Sequence, residues 1–195
     1  MVNDRPSWLS VPINWSFGYK INEVKVKQGW KAKILDNLYE AYAKKPHFEN
    51  CWEIIKNEIE ETNEQRLDKI NIRLINFISK KLGFGPKIQI SSELKIKSFK
   101  DDRLVDILKK ISSKTIYLSG KGAIKYQDTK KFIKSGIILY YQEFKENDLK
   151  LFKKKSNAQG PVDNKGLSIL DAVFNHGWDQ TAKMIINNGK FSKTD

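Results

Sequence analysis

Four polar side chains that could bind a ligand or take part in catalysis lie within a span of nine residues. The stretch "GLSILDAVFNHGWD", residues 166–179, contains Ser168, Asp171, Asn175 and His176. Histidine changes its charge near neutral pH and is the most frequent general base in enzymes. His176, about one turn from Asp171, is therefore a candidate base.

The same residues also fit the start and the end of a short helix. Ser168 followed by Asp171 has the spacing of a capping box, and the carboxylate suits the positive end of the helix dipole. Gly177 fits the left-handed position just past a helix end, and His176 suits the negative end. Capping is the favoured interpretation of His176, and it leaves Asn175 unexplained.

A second candidate site is the glycine-containing loop "LSGKGAIKYQD", residues 118–128. Small residues, backbone amides and two lysines between a strand and a helix could hold a phosphate or a carboxylate. The spacing of a P-loop and that of a dinucleotide-binding loop are both absent. An ordinary turn is favoured here, whereas a ligand role for Ser91 and Ser92 is weighed equally with ending a strand.

The remaining candidate residues give no metal-site pattern. His47 and His176 are far apart in the sequence, and Cys51 is the single cysteine. Neither histidine lies in a metal-ligand motif, so we expect neither a metal nor another cofactor. His47 follows Pro46 at a helix entrance, where packing or capping is favoured, and Cys51 is interpreted as a core residue.

Composition indicates a folded protein of the cytoplasm. The chain has 195 residues, of which 39% are hydrophobic, and this suits one domain over residues 1–195. The sequence has no apolar run near the roughly 20 residues of a membrane span, and the first residues do not resemble a secretory signal. We therefore expect a cytoplasmic protein without stable membrane insertion.

The net charge of +13 raises the question of an acidic partner. The excess is almost wholly lysine, whereas arginine is the usual reader of bases and phosphates. The lysines occur in scattered pairs, which are typical of solvated helix faces. Nucleic acid is therefore the disfavoured partner.

The hydrophobic pattern divides the chain into two halves. "WLSVPI" and "INEVKV" alternate like a pair of strands. Helical spacing then predicts a helix that starts at Gly29 and is stopped by Pro46, and two more over residues 48–59 and 67–82. After these, the strands "KIQIS", "TIYLS" and "IILYYQEF" alternate with helices over residues 101–111 and 126–134. The stretch "SNAQGPVDNKG" reads as a loop.

This order of elements predicts an α/β fold: a β-strand pair, a run of helices, then alternating β-α-β units with a mainly parallel sheet. Ligands of such sheets bind at the carboxyl ends of the strands. That edge would collect Ser91, Ser92 and the loop that contains Ser119.

Seven segments in this order resemble the WbqC-like family of bacterial proteins, from about Trp8 to Gly177. They are "SWLSVPI", "HFE", "LDKINIRLI", "IQISSEL", "YLSGKGAIKYQD", "FIKSGIILYYQEF" and "LSILDAVFNHG". The resemblance implies a role in biosynthesis of lipopolysaccharide O-antigen and other surface polysaccharides. It further implies a transferase that moves a glycyl or related acyl group to an amino sugar, with a nucleotide-linked amino sugar and an activated acyl or aminoacyl donor as partners.

Proteins of this family usually begin with a further segment resembling "QPYFFPYIGYF", followed by a "DD" strand and an "NRN" element. Here "MVNDRP" precedes the strand that matches "SWLSVPI". We therefore expect a single WbqC-like domain that lacks the family's usual N-terminal segment.

The resemblance also implies which residues form the site. Candidate ligand-binding positions are His47, Asn71, Ser91, Ser92, Ser119, Gly120, Tyr126, Ser168 and Asn175. His176, oriented by Asp171, is the candidate base, Ser119 and the Gly120 amide lie near a carbonyl or phosphate, and Asn175 donates to a sugar hydroxyl or carbonyl. A non-catalytic binding protein of the same pathway and a basic nucleic-acid binder are the alternatives.

Overall fold

The structure is a computed structural model that describes residues 7–112, 115–143 and 167–193. These residues divide into two compact units. The helical unit contains residues 7–86 and 167–184, and the sheet unit contains residues 87–112, 115–143 and 185–193. The loop predicted in "SNAQGPVDNKG" lies outside the described residues.

The helical unit starts with two very short antiparallel strands, β1 (Ile13–Asn14) and β2 (Lys25–Val26). The longer strands predicted around them are wrong. Between them Ile21–Glu23 forms a 3-10 turn, because the Lys20 amide donates to Glu23 Oε2 at 2.8 Å and closes the chain into a turn.

Three predicted helices are confirmed with nearly the predicted bounds. They are α1 (Trp30–Tyr42), α2 (Phe48–Glu60) and α3 (Leu67–Lys81). Apolar residues at helical spacing form the buried face of each helix, as the sequence pattern requires. The core they build includes Trp30, Ile34, Leu38, Tyr42, Phe48, Cys51, Ile55, Ile59, Ile70, Val173 and Phe174.

The last helix, α6 (Ile169–Asn188), is kinked at Gly177, whose φ of 76° and ψ of 170° are not helical. Gly177 has the predicted positive φ and interrupts the helix where the sequence predicts its end, but a second helical segment, which the sequence does not predict, follows directly. Helical structure resumes beyond the glycine, where the Thr181 hydroxyl donates to the Gly177 carbonyl at 2.6 Å. The hydroxyl thus adds a side-chain hydrogen bond to the first turn after the kink.

The sheet unit confirms the α/β class. Strands β3 (Ile116–Gly120) and β4 (Ile138–Glu143) are parallel, and β5 (Lys190–Lys193) is antiparallel to β4. The connection from β3 to β4 contains a 3-10 segment, Lys121–Lys125, and helix α5 (Thr129–Lys134). The core includes Val105, Ala123, Phe132, Ile137, Leu139 and Tyr141.

The strand predicted for "KIQIS" is wrong. Residues 87–90 have no regular structure, and a turn follows. Helix α4 (Lys100–Ile111) instead holds the nearby backbone through side chains, with Arg103 donating to the Ile96 carbonyl at 2.6 Å and Lys110 donating to the Leu94 carbonyl at 2.7 Å. These bonds satisfy carbonyls that would otherwise need a sheet partner.

The helix predicted over residues 126–134 is shorter than expected. It begins at Thr129 because the Asp128 side chain accepts from the Lys130 amide at 3.1 Å and caps it. In the described ranges, no helix is both long and apolar enough to cross a membrane.

Candidate functional site

The predicted site residues divide between the two units. The helical unit contains His47, Asn71, Ser168, Asp171, Asn175 and His176. The sheet unit contains Ser91, Ser92, Ser119, Gly120 and Tyr126. Each unit therefore supplies its own candidate site.

Ser168 caps the start of α6, as its spacing to Asp171 predicts. Its Oγ accepts from the Leu170 amide at 3.3 Å, and its carbonyl accepts from the Asp171 amide at 2.9 Å. These bonds satisfy amides that have no partner inside the helix. The cap places the Asp171 carboxylate in the first turn of α6, at the positive end of the helix.

Ser168 also lines a pocket of about 350 Å³ in the helical unit. The lining residues are Ser7, Trp8, Leu9, Asn37, Leu38, Ala41, Tyr42, Leu167, Ser168 and Leu170. Ligand pockets usually measure about 300–1,000 Å³, so this one suits a single ring with its substituents. The indole of Trp8, 97% exposed, offers an open aromatic surface at the rim.

Sequence reasoning missed Trp8, Asn37 and Tyr42 as pocket residues. The pocket forms from three segments that are distant in the sequence, so no local motif marks it. The apolar repeat along α1 correctly predicts that Tyr42 is buried. The repeat does not predict that a pocket lies beside this residue.

Asp171 lies close enough to Tyr42 to change its acidity. Burial, and secondly the negative charge of Asp171, raise the pKa of Tyr42 to about 12. Because both effects disfavour the phenolate, Tyr42 remains a neutral phenol throughout the physiological pH range. The pocket is thus bordered by a protonated phenol and lies near a carboxylate.

The raised pKa predicts an alkaline loss of stability. In the unfolded chain Tyr42 ionises near its ordinary pKa of 10.0, whereas in the folded chain it ionises near 12. Its contribution to the free energy of unfolding is complete below pH 10 and is lost as the pH rises through 12. Melting curves between pH 9 and pH 12 should show a smaller decline for Tyr42→Phe than for the parent.

Tyr39→Phe, which removes an exposed hydroxyl from the same helix, is the control and should follow the parent. Parallel declines for the parent and Tyr42→Phe would show that the Tyr42 hydroxyl does not couple folding to pH.

His47, another of the predicted site residues, contacts α6 at the kink. The His47 amide donates to the Phe174 carbonyl at 3.0 Å, which satisfies a carbonyl at the end of the first half of α6. The His47 ring packs on Gly177 so closely that an added Cβ would lie 3.0 Å from Nδ1. These contacts agree with the packing and capping interpretation of His47.

Asn175 and Trp178 lie on either side of the kink, and each has one polar side-chain atom without a hydrogen-bond partner among the described residues. Asn175 Nδ2 donates to the Asp171 carbonyl at 2.7 Å. Asn175 Oδ1 and Trp178 Nε1 are buried and have no hydrogen-bond partner among the described residues. Buried polar atoms without a partner are rare in native proteins. Asn175 Oδ1 and Trp178 Nε1 could therefore form hydrogen bonds with a polar ligand group or an ordered water.

The pairing of His176 with Asp171 stays a prediction. Successive residues of an α-helix are turned by about 100°, so residues five apart lie about 140° apart around the axis. The helix alone therefore does not bring the two side chains to one side. Asn71 lies exposed on α3, outside the pocket lining.

Cys51 has the environment of a core residue. Its side chain is buried beside the Val173 carbonyl, at 3.9 Å from the oxygen, and burial raises the pKa of the thiol. A thiol with a raised pKa is a poor nucleophile, because the thiolate is the reactive form.

In the sheet unit, Ser119 is buried near the end of β3, directly opposite Tyr141 of β4. Gly120 ends the strand, and Tyr126 is largely exposed beyond the 3-10 segment. Ser91 and Ser92 lie exposed in a turn, so the sheet edge predicted to position them does not do so.

Sequence reasoning missed two residues of this unit, Gln127 and Tyr141. Gln127 Oε1 and the Tyr141 hydroxyl are buried without a partner in the part of the chain that the structure describes. Gln127 Nε2 donates to the Tyr117 hydroxyl at 3.5 Å. No local pattern marks either residue, because their burial depends on how β3, β4 and the segment between them pack.

Within the described ranges, no group of three or more His, Cys, Asp or Glu side chains is placed to hold a metal ion.

The fold and these sites define an α/β protein with polar, aromatic-lined candidate ligand sites. The chain belongs to the WbqC-like protein family, whose model matches residues 2–183. This confirms the family suggested by the seven sequence segments. No curated protein and no solved structure matches the chain.

Proposed function

We propose that this WbqC-like protein transfers a glycyl or other acyl group to the amine of an amino sugar in bacterial surface polysaccharide biosynthesis. The observation that carries the proposal is the Asp171 carboxylate in the first turn of α6, close to Tyr42 of a pocket that suits one ring. Membership of the family supports the pathway, which includes O-antigen formation.

The groups around the pocket suit an amino sugar. A carboxylate attracts the ammonium form of the amine, and a neutral phenol supplies a donor without adding charge. The Ser168 hydroxyl and the Asn37 side chain line the same pocket and can meet sugar hydroxyls. The exposed ring of Trp8 can cover the apolar face of the sugar.

Transfer requires the amine in its unprotonated form. Asp171 holds the ammonium group, and His176, the base expected from the sequence, takes its proton through a water, since the two side chains lie about 140° apart around α6. The nitrogen lone pair then attacks the carbonyl carbon of an acyl thioester. The new C–N bond forms, the C–S bond breaks, the second amine proton is lost, and the leaving thiolate takes up a proton.

A thermal-shift comparison of two nucleotide sugars tests the binding part of the proposal. UDP-glucosamine and UDP-glucose differ in the amine that replaces one hydroxyl, so their difference reports recognition of that amine. At about 100 times its Kd, a ligand stabilises the folded state by about 2.7 kcal/mol. We expect UDP-glucosamine to raise the melting temperature of the parent by several degrees more than UDP-glucose does.

Asp171→Asn should abolish the difference between the two sugars, because it removes the charge that attracts the ammonium group. Asp179→Asn, which changes an exposed carboxylate on the same helix, should preserve it. Equal stabilisation by both sugars, or stabilisation only by short DNA in a salt-sensitive manner, would contradict the proposal.

A further inference from the structure

The sheet unit buries three polar side chains near the carboxyl end of the parallel strands. Ser119, Gln127 and Tyr141 are 5%, 9% and 3% exposed. Two of their polar atoms, Gln127 Oε1 and the Tyr141 hydroxyl, have no partner among the described residues. The carboxyl edge of parallel strands is where ligands of open α/β sheets bind.

Local contacts hold these side chains in place. Ser119 and Tyr141 are paired across the two parallel strands, and Tyr117 lies two residues before Ser119 on the same face. The Tyr117 hydroxyl accepts a hydrogen bond from the side-chain Nε2 of Gln127. The backbone N–H of Gln127 donates to the Ala123 carbonyl at 2.9 Å. Tyr117 thus links Gln127 to the strands.

The two unpartnered atoms have complementary hydrogen-bonding roles. Gln127 Oε1 accepts hydrogen bonds and has no proton to give, whereas the Tyr141 hydroxyl can donate. We infer that Gln127 and Tyr141 form a subsite for an amide group, whose N–H donates to Gln127 Oε1 and whose carbonyl accepts from Tyr141. An N-acylated amino sugar contains this group, and so does the uracil ring of a uridine nucleotide.

Burial keeps Tyr141 in the donor form. It raises the pKa of the Tyr141 hydroxyl, and the negative charge of Asp101 adds to this effect. Burial likewise disfavours the phosphate or carboxylate that the sequence suggests for this loop. An anion would instead meet the exposed side chains of Lys121 and Lys125.

Because both unpartnered atoms are buried, a ligand reaches them only if a neighbouring segment moves, and we assign this movement to the 3-10 segment Lys121–Lys125, whose Ala123 lies in the same core as Tyr141. Gly120 and Gly122 lie at the start of this segment, and an added Cβ at either would meet no atom within 4 Å. The open space around these two glycines and their conformational freedom allow a small displacement of residues 121–125.

The inference rests on the proposed function for its sugar ligand, since an acylated amino sugar is the product of the proposed transfer. The two can fail separately. A protein that binds an amide through Tyr141 but forms no transfer product keeps the subsite and loses the proposed reaction.

Tyr141→Phe gives the sharpest test, because it removes one hydroxyl and leaves the ring. An unpartnered hydroxyl contributes nothing to folding, so the free variant should melt at or above the temperature of the parent. The probes are N-acetylglucosamine 1-phosphate, UMP and, as the probe without an amide, glucose 1-phosphate. We expect one of the two amide-bearing probes to stabilise the parent, and its Kd to rise about tenfold or more in Tyr141→Phe.

Tyr140→Phe, at the next position and on the opposite face of β4, should bind as the parent does. Stabilisation by N-acetylglucosamine 1-phosphate identifies the N-acyl source, and stabilisation by UMP identifies the uracil source. A lower melting temperature for free Tyr141→Phe, equal binding by Tyr141→Phe and the parent, or no response to either amide-bearing probe would overturn the inference.

Discussion

Replacing Gly177 by alanine should lower the free energy of unfolding by about 2–4 kcal/mol, the largest stability effect expected of any glycine in the helical unit. The φ of 76° and ψ of 170° belong to a region that is essentially restricted to glycine. In addition, the new Cβ would lie 3.0 Å from Nδ1 of His47. Both the strain and the contact act on the kink that divides α6.

Urea unfolding followed by circular dichroism measures this loss. Gly83→Ala is the matched control, because Gly83 also has a positive φ, of 77°, but an added Cβ there meets no atom within 4 Å. The excess loss in Gly177→Ala therefore reports its more restricted backbone and the contact with His47. A smaller loss for Gly177→Ala than for Gly83→Ala would show that the kink is not held as described.

Asp171→Asn should reduce kcat/KM for acyl transfer by about 10-fold to 100-fold, because a hydrogen bond between a carboxylate and an ammonium group contributes about 1.5–3 kcal/mol. Its effect on folding should be small, about 0.3–1 kcal/mol, because only a favourable charge at a helix start is removed. Release of thiol from the acyl donor measures the rate, and urea unfolding measures the stability of the same samples.

His176→Ala, alone and combined with Asp171→Asn, tests whether Asp171 and His176 act in the same catalytic step. Residues that act as a unit are not additive, so the double variant should be no slower than the slower single variant. Asp179→Asn should retain the parental rate. If Asp171→Asn and His176→Ala both leave turnover intact and only lower the melting temperature, α6 has a structural role alone.

Helix positions could be predicted well from the sequence because they depend on local periodicity. The repeat of Trp30, Ile34, Leu38 and Tyr42 predicted α1, and the burial of these four residues confirms it. The Ser168 cap is equally local, since its bonds reach two and three residues along the chain. The α/β class followed from the alternation of elements in the second half.

The failures have a common physical cause, which is contact with distant residues. "KIQIS" alternates like a strand, but no strand among the described residues pairs with it, and side chains of α4 hold the backbone that follows. The pocket beside Ser168 and the Tyr141 subsite both combine segments that the sequence separates. Patterns in a single sequence cannot predict contacts between distant segments, because these contacts depend on packing and not on the propensity of each residue.

The most direct test of the central claim is to incubate the parent with UDP-glucosamine and glycyl or acetyl thioesters of coenzyme A, and to measure the mass of the sugar. The proposal predicts a sugar product heavier by one acyl group, formed together with an equal amount of free thiol and formed more slowly in Asp171→Asn. Contradiction would be a sugar of unchanged mass, with thiol released no faster than in Asp171→Asn.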